Sequence, residues 1–238
     1  MFHLLLAIIY LSFISLGLPD GLLGAAWPTI YPELSVPVSY AGILFAIISG
    51  GTVVSSLLSD RLTFRLGTGR VTAISVCMTA AALFGFASSD SYWMLCLWAI
   101  PYGLGAGSVD ASLNNYVALH YTSRHMSWLH CMWGIGATVG PYIMGAVLSG
   151  GGHWSGGYRM VGFIQLALTA VLFLSLPLWK ERTKTEDGSA AKPLPLKEVI
   201  AIPGAKQIMV TFFCYCALEQ STALWASSYL ALLDCPWP

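Results

Sequence analysis

Residues 40–88 read YAGILFAIISGGTVVSSLLSDRLTFRLGTGRVTAISVCMTAAALFGFAS. Two apolar runs, Tyr40–Ser59 and Val71–Ser88, flank a turn that holds Asp60, Arg61, Arg65 and Arg70. A helix needs about 20 mostly apolar residues to cross the hydrocarbon core. Both runs are near that length, and neither alternates polar with apolar as a barrel strand does. Backbone polar groups in lipid are satisfied only in helices or closed barrels. The stretch therefore predicts two antiparallel membrane helices joined at one surface.

The same reading extends in both directions. Five further runs cover about His3–Ile30, Tyr92–Tyr121, Ser127–Ser149, Met160–Trp179 and Lys206–Leu233. Composition agrees, with 56% hydrophobic and 9% charged residues, where a soluble domain carries roughly a quarter charged residues. So little charge cannot cover a water-facing surface. The fold class expected is all-α, a polytopic membrane helix bundle. Six helices over 1–179 form a first unit built as two three-helix repeats. A polar linker covers 180–205, and a seventh helix over 206–238 begins a second unit. The start of the chain has no basic region before its apolar run and no small-residue cleavage site, so it reads as a span and not as a removable signal.

Basic residues orient the bundle. Of the eleven, only Arg159 falls in a loop on the far side; Arg61, Arg65, Arg70, Arg124 and the lysines and arginine of 180–206 share the other side. Basic loops stay cytoplasmic, which places the N-terminus inside and the protein, multi-pass, in the plasma membrane. A zero net charge gives no hint of a nucleic-acid partner. The six cysteines, at 77, 96, 131, 214, 216 and 235, lack zinc-site spacing and read as small buried apolar residues.

Ionisable residues within spans are expensive and mark function by default. Asp20, Asp110 and Glu219 fall in the first, fourth and seventh spans, the first helix of each three-helix repeat. Repeat-built carriers place their sites near the midplane, on interrupted helices. Asp20 lies in GLPDGLLGAAWP, where glycines and prolines loosen the helix. Asn114 shares a helix face with Asp110, and Tyr215 and Thr222 share one with Glu219. Acids, the amides of Asn114, Asn115 and Gln220, and aromatic rings converging on one cavity suit a polyhydroxylated ligand. A carboxylate at mid-bilayer costs roughly 2.5–3.5 kcal/mol on insertion scales. The cost falls on the charged form, so the group can exchange a proton in the physiological range, as proton-coupled transport requires.

Other residues keep two readings. Asp60, Arg61 and Arg70 form either a charged turn that sets topology or a charge latch between two conformations. His130 lines the cavity or is a satisfied interior histidine. Gln165 is polar glue between helices or a ligand contact. His120, His125 and His130 do not share a helix face, so no metal is expected. Small residues at Gly136, Gly140 and Gly145 let helices approach closely.

Together these residues resemble the major facilitator superfamily. Its hallmark loop is similar to S-x-x-S-D-R-x-x-x-R-x-G-T-G-R at 56–70, although Ser56 replaces the usual leading glycine and the spacing from Arg61 to Gly67 is longer. The resemblance implies that Asp60, Arg61 and Arg70 gate the inward end. GLPDGLLGAAWP (17–28), DASLNNYVALHY (110–121) and MSWLHCMWGIGATVGP (126–141) resemble the fucose-permease-like branch, whose members are sugar:proton symporters. That implies a coupling proton on Asp110, a substrate or access role for Asp20, and sugar contacts at Asn114 and Asn115. No cofactor is implied beyond a proton gradient as energy source. The partners implied are a small solute, a sugar under this resemblance, and the lipid bilayer. The pattern at Gly136, Gly140 and Pro141 is also similar to drug:proton antiporters, which leaves the direction of coupling open.

The superfamily has twelve helices, and this chain ends after the seventh. A truncated transporter is therefore expected, with a non-functional remnant or a half that pairs with a partner half-transporter as the alternatives. A seven-helix receptor is disfavoured because the arginines place the N-terminus inside. An intramembrane enzyme is disfavoured because no hydrolytic or metal-ligand motif is visible.

Overall fold

The computed structural model describes residues 2–179 and 196–233. All its long elements are helices: α1 (Phe2–Gly17), α2 (Leu22–Glu33), α3 (Tyr40–Leu66), α4 (Thr68–Ala87), α5 (Tyr92–His120), α6 (Ser123–Ser149), α7 (Trp154–Ser175), the short α8 (Leu196–Ala201) and α9 (Ala205–Leu232). A single 3-10 turn, Leu176–Leu178, follows α7. Most of the expected linker lies outside the described residues, as does the chain beyond 233.

Five stretches are long and apolar enough to cross a membrane: Leu4–Glu33, Tyr40–Leu66, Thr68–Ala87, Ser123–Ser149 and Trp154–Leu178. Helices α5 and α9 have 29 and 28 residues but fall outside that set. Both carry an acid and amides, Asp110 with Asn114 and Asn115, and Glu219 with Gln220, which lower their hydropathy. Large apolar side chains such as Leu57, Trp93, Leu174 and Phe213 are exposed. Surfaces of that kind are tolerated facing lipid and not facing water.

The first span is not one helix, as the apolar run suggested, but two. Pro19 has no N–H to donate and its ring excludes the carbonyl four residues back. The ladder therefore changes to three-residue closures, Asp20 N to Gly17 O at 3.1 Å and Leu22 N to Pro19 O at 3.2 Å, before helical bonding resumes at Ala25. The carbonyl orphaned by Pro19 is that of Ser15. It accepts instead from Gln165 Nε2 of α7 at 2.6 Å, while the Ser15 hydroxyl donates to Gln165 Oε1. Both residues are buried. Changing Gln165 to Leu strands two polar atoms of Ser15, and we expect a loss of about 1–3 kcal/mol, read as a lower melting temperature of the detergent-purified protein.

The spans pair in a symmetric pattern. Taking α1 with α2 as span one and α3 to α7 as spans two to six, span two packs along span four and span five along span one. Span three packs on four and span six on one, while three and six pack on each other. Exchanging the first three spans for the next three maps the two–four pairing onto five–one and three–four onto six–one, and leaves three–six unchanged. Because three is odd, the exchanged spans run in opposite directions, as an inverted repeat requires.

Glycines bring two corresponding pairs of spans into close contact. A Cβ at Gly136 or Gly140 of α6 would lie 2.0 Å from Ile14 O or 1.8 Å from Leu18 O of the first span. At the corresponding pairing, a Cβ at Gly103 or Gly107 of α5 would lie 2.2 Å from Ile48 O or Thr52 O of α3. Gly145 does not join the expected contact, having nothing within 4 Å. Gly136→Val should cost about 1–3 kcal/mol by overpacking, whereas Gly145→Ala should leave the melting temperature unchanged. Between α3 and α4 the chain turns on Gly67 at φ +80°, a left-handed conformation that a Cβ penalises.

Buried apolar side chains form two clusters. One gathers Trp27, Leu83, Leu95 and Tyr158. The other gathers Phe13, Leu113, Leu129 and Trp179. The break at Leu18–Gly21 divides them: α1 contributes to the second and α2 to the first. The five described cysteines are not buried as expected, and Cys235 lies outside the described residues. Cys77, Cys131 and Cys214 are exposed and Cys96 and Cys216 intermediate, all free. An apolar side chain in a membrane protein can face lipid as readily as core, so the hydrophobicity of a run does not decide which.

Candidate functional site

The broken first span places Asp20 between two helix ends, where its carboxylate can leave the helix wall. Oδ2 accepts from Trp133 Nε1 of α6 at 2.8 Å. Beside it lies a cavity of about 50 Å³ reached by five further helices, with Phe45, Phe86, Tyr102, Tyr158 and Gln220 among its walls. Phe86 stacks on Tyr158 at 5.4 Å and meets Tyr102 edge-on at 6.0 Å. Tyr102 and Tyr158 are 6% and 2% exposed. Among the described residues neither hydroxyl has a hydrogen-bond partner. Both residues line the cavity, where their hydroxyls are available to a polar occupant, water or solute.

Asp110 lies midway along α5. Asn114 Nδ2 donates to its Oδ1 at 2.9 Å and to its backbone carbonyl at 3.0 Å, as their shared helix face predicts. Asp110 is open to the surroundings. Charge on Asp110 and on Glu219 acts on Asp20, and charge on His130 acts on Asp110. The three acids of spans one, four and seven therefore face a common region, with His130 at its side. Gln220 joins it from α9.

Apart from His130, the other expected site residues lie elsewhere or have partners of their own. Gln165 is occupied by Ser15 and is not among the cavity walls. Asn115 is half-buried and makes no side-chain hydrogen bond among the described residues. His130 packs edge-on against Phe13 at 6.0 Å. His120 stacks on Tyr116, and His125 bonds Tyr10 Oη at 2.9 Å, so the three histidines go to three different partners. Asp60, Arg61 and Arg70 are exposed. Among the described residues none of them forms an ion pair.

Trp133, Tyr102 and Tyr158 were not singled out by the sequence. Trp133 stands one turn beyond His130, which is the signal that could have pointed to it. The tyrosines sit in runs where membrane aromatics are common, and only their tertiary placement distinguishes them.

The sequence model of the Major Facilitator Superfamily matches residues 9–237. An uncharacterized transporter of Sinorhizobium fredii, y4wD, is 23% identical over 89% of this chain and 56% of its own length. Bypass of stop codon protein 6 of Saccharomyces cerevisiae is 25% identical over 74% of this chain and 35% of its own. Synaptic vesicle glycoprotein 2C of Rattus norvegicus is 25% identical over 56% of this chain and 19% of its own. The chain thus spans about half the length, or less, of the curated relatives it matches. A match over nearly every residue, on a helix bundle whose spans pair as two exchangeable threes, has one consequence: this chain belongs to the Major Facilitator Superfamily.

Proposed function

We propose that the chain supplies the first half, and the opening helix of the second, of a proton-coupled carrier for a sugar or similar polyhydroxylated solute. The supporting observation is the Asp20 carboxylate, set at the break in the first span, tethered by Trp133 and beside an aromatic cavity lined by Tyr102 and Tyr158. Solute sites combine apolar walls with a few convergent polar groups. Flat rings suit the C–H faces of a sugar, and carboxylate, amide and phenol groups suit its hydroxyls. Asp110, hydrogen-bonded by Asn114 and within the influence of His130, is the residue to carry the proton. Asp20 and Gln220 contact solute. Asp60, Arg61 and Arg70 wait at the cytoplasmic end for the other half.

At about 50 Å³ the cavity has room for a few waters and none for a sugar ring. Binding therefore requires a wall to draw back. The reading is tested by reconstituting the protein in liposomes, offering labelled hexoses and pentoses under a proton gradient, and following external pH. Solute uptake with external alkalinisation supports symport. Solute-dependent acidification instead supports the antiport reading. No solute-dependent proton movement with any member of the panel overturns the proposal.

A further inference from the structure

A histidine–carboxylate contact lies away from this site, at the end of the bundle opposite the N-terminus. It joins Glu33, the last residue of α2, to His153, the N-cap of α7. His153 Nε2 lies 3.0 and 2.9 Å from the two Glu33 oxygens. Trp154 Nε1 donates to Glu33 Oε2 at 2.7 Å. The geometry fixes which atom donates. Ser155 N–H donates to His153 Nδ1 at 3.2 Å, so Nδ1 is the acceptor and Nε2 carries the hydrogen directed at Glu33. One carboxylate thus takes donors from two consecutive residues at the start of α7.

The element it holds is the outer half of the broken span. Helix α2 is freed from α1 by the turn at Leu18–Gly21 and has only 12 residues. On one side it touches α9, where a Cβ at Gly24 would meet Ala223 O at 2.0 Å. Its inner face packs on the other helices through Leu22, Ala26, Trp27 and Ile30, Trp27 Nε1 donates to Val38 O at 2.7 Å, and Glu33 holds its far end. The grip also leads inward: Trp154, 2% exposed, meets Tyr158 edge-on at 6.0 Å, and Tyr158 is a cavity wall. A short helix, hinged at the cavity and clasped at its far end, has the construction of a lid.

We propose that Glu33, His153 and Trp154 form a latch that holds α2 closed against α7, and that its release lets α2 swing about Leu18–Gly21 and open the cavity toward that end. The latch concerns the motion of α2 and holds whichever solute the cavity takes.

Hydrogen–deuterium exchange of the full chain in lipid nanodiscs tests this without any transport assay. His153 and Glu33 side chains are 53% and 46% exposed, so their contact is partly screened. Glu33→Gln should speed exchange of the α2 amides by about five- to tenfold, the scale of a half-exposed charge-assisted contact. Trp154→Phe keeps an aromatic ring, though a smaller one, and removes one donor, and should speed the same amides by about threefold. Exchange in α4 and α5 should stay as in the parent. Unchanged α2 exchange in both variants overturns the latch. So does acceleration spread evenly over α2, α4 and α5, because Glu33 would then be a general stabiliser and not the holder of one moving helix.

Discussion

Asp110→Asn is expected to end proton-driven accumulation while leaving solute exchange across the membrane intact. An amide keeps the shape of the carboxyl group and an oxygen to accept from Asn114 Nδ2, now 2.9 Å away, so local packing survives. What it cannot do is take up and release a proton. A potential of 100 mV is worth about 2.3 kcal/mol per charge, and about 1.36 kcal/mol is a factor of ten. One coupled proton therefore supports up to about 50-fold accumulation, and the variant should fall to equal concentrations on both sides. Uptake against a gradient and counterflow with preloaded solute, measured on the same liposomes, separate the two. Unchanged accumulation would refute the role of Asp110.

Asp20→Asn should act on affinity and not on coupling. The side chain holds its place by accepting from Trp133 Nε1, which an asparagine oxygen can still do. The charged acceptor offered to the cavity is lost. Hydrogen bonds to charged groups contribute about 1.5–3 kcal/mol, so solute affinity should fall by roughly 10- to 100-fold. Trp133→Phe leaves the carboxylate untethered, and affinity should fall by about 3- to 10-fold through lost positioning. Titration of each variant with solute by calorimetry in nanodiscs gives the comparison. Equal affinity in Asp20→Asn and the parent would remove Asp20 from the binding site.

These two acids were legible before any coordinates, and the reason is energetic. A carboxyl group inside an apolar run is rare because it is costly, so Asp20, Asp110 and Glu219 stood out, and Asn114 followed from helix geometry. Most span boundaries were legible too, since hydrophobic length is set by the bilayer, but the charged stretch read as a turn is helical: α3 runs through Asp60, Arg61 and Arg65 to Leu66, and Arg70 lies in the first turn of α4. Partners far along the chain were not. Trp133 is 113 residues from Asp20, and Gln165 is 150 from Ser15. Pro19 announced a weakened helix, but nothing local said that α7 would repair the orphaned carbonyl. The orientation of each helix face was equally hidden. In lipid the outside is as apolar as the core, so hydrophobic patterning lost its power, and three of the cysteines read as buried, Cys77, Cys131 and Cys214, proved exposed. Glu33 and His153 went unnoticed because charge at a span end is ordinary; only their meeting across 120 residues gives them a role.

The whole account turns on carboxyl groups at depth that water can still reach. A nitroxide at position 110, read by electron paramagnetic resonance with a water-soluble nickel relaxer and with oxygen, measures both properties at once. The account predicts a mid-bilayer depth together with strong relaxation by the nickel complex. Relaxation by oxygen alone, or a depth at the headgroups, would contradict it.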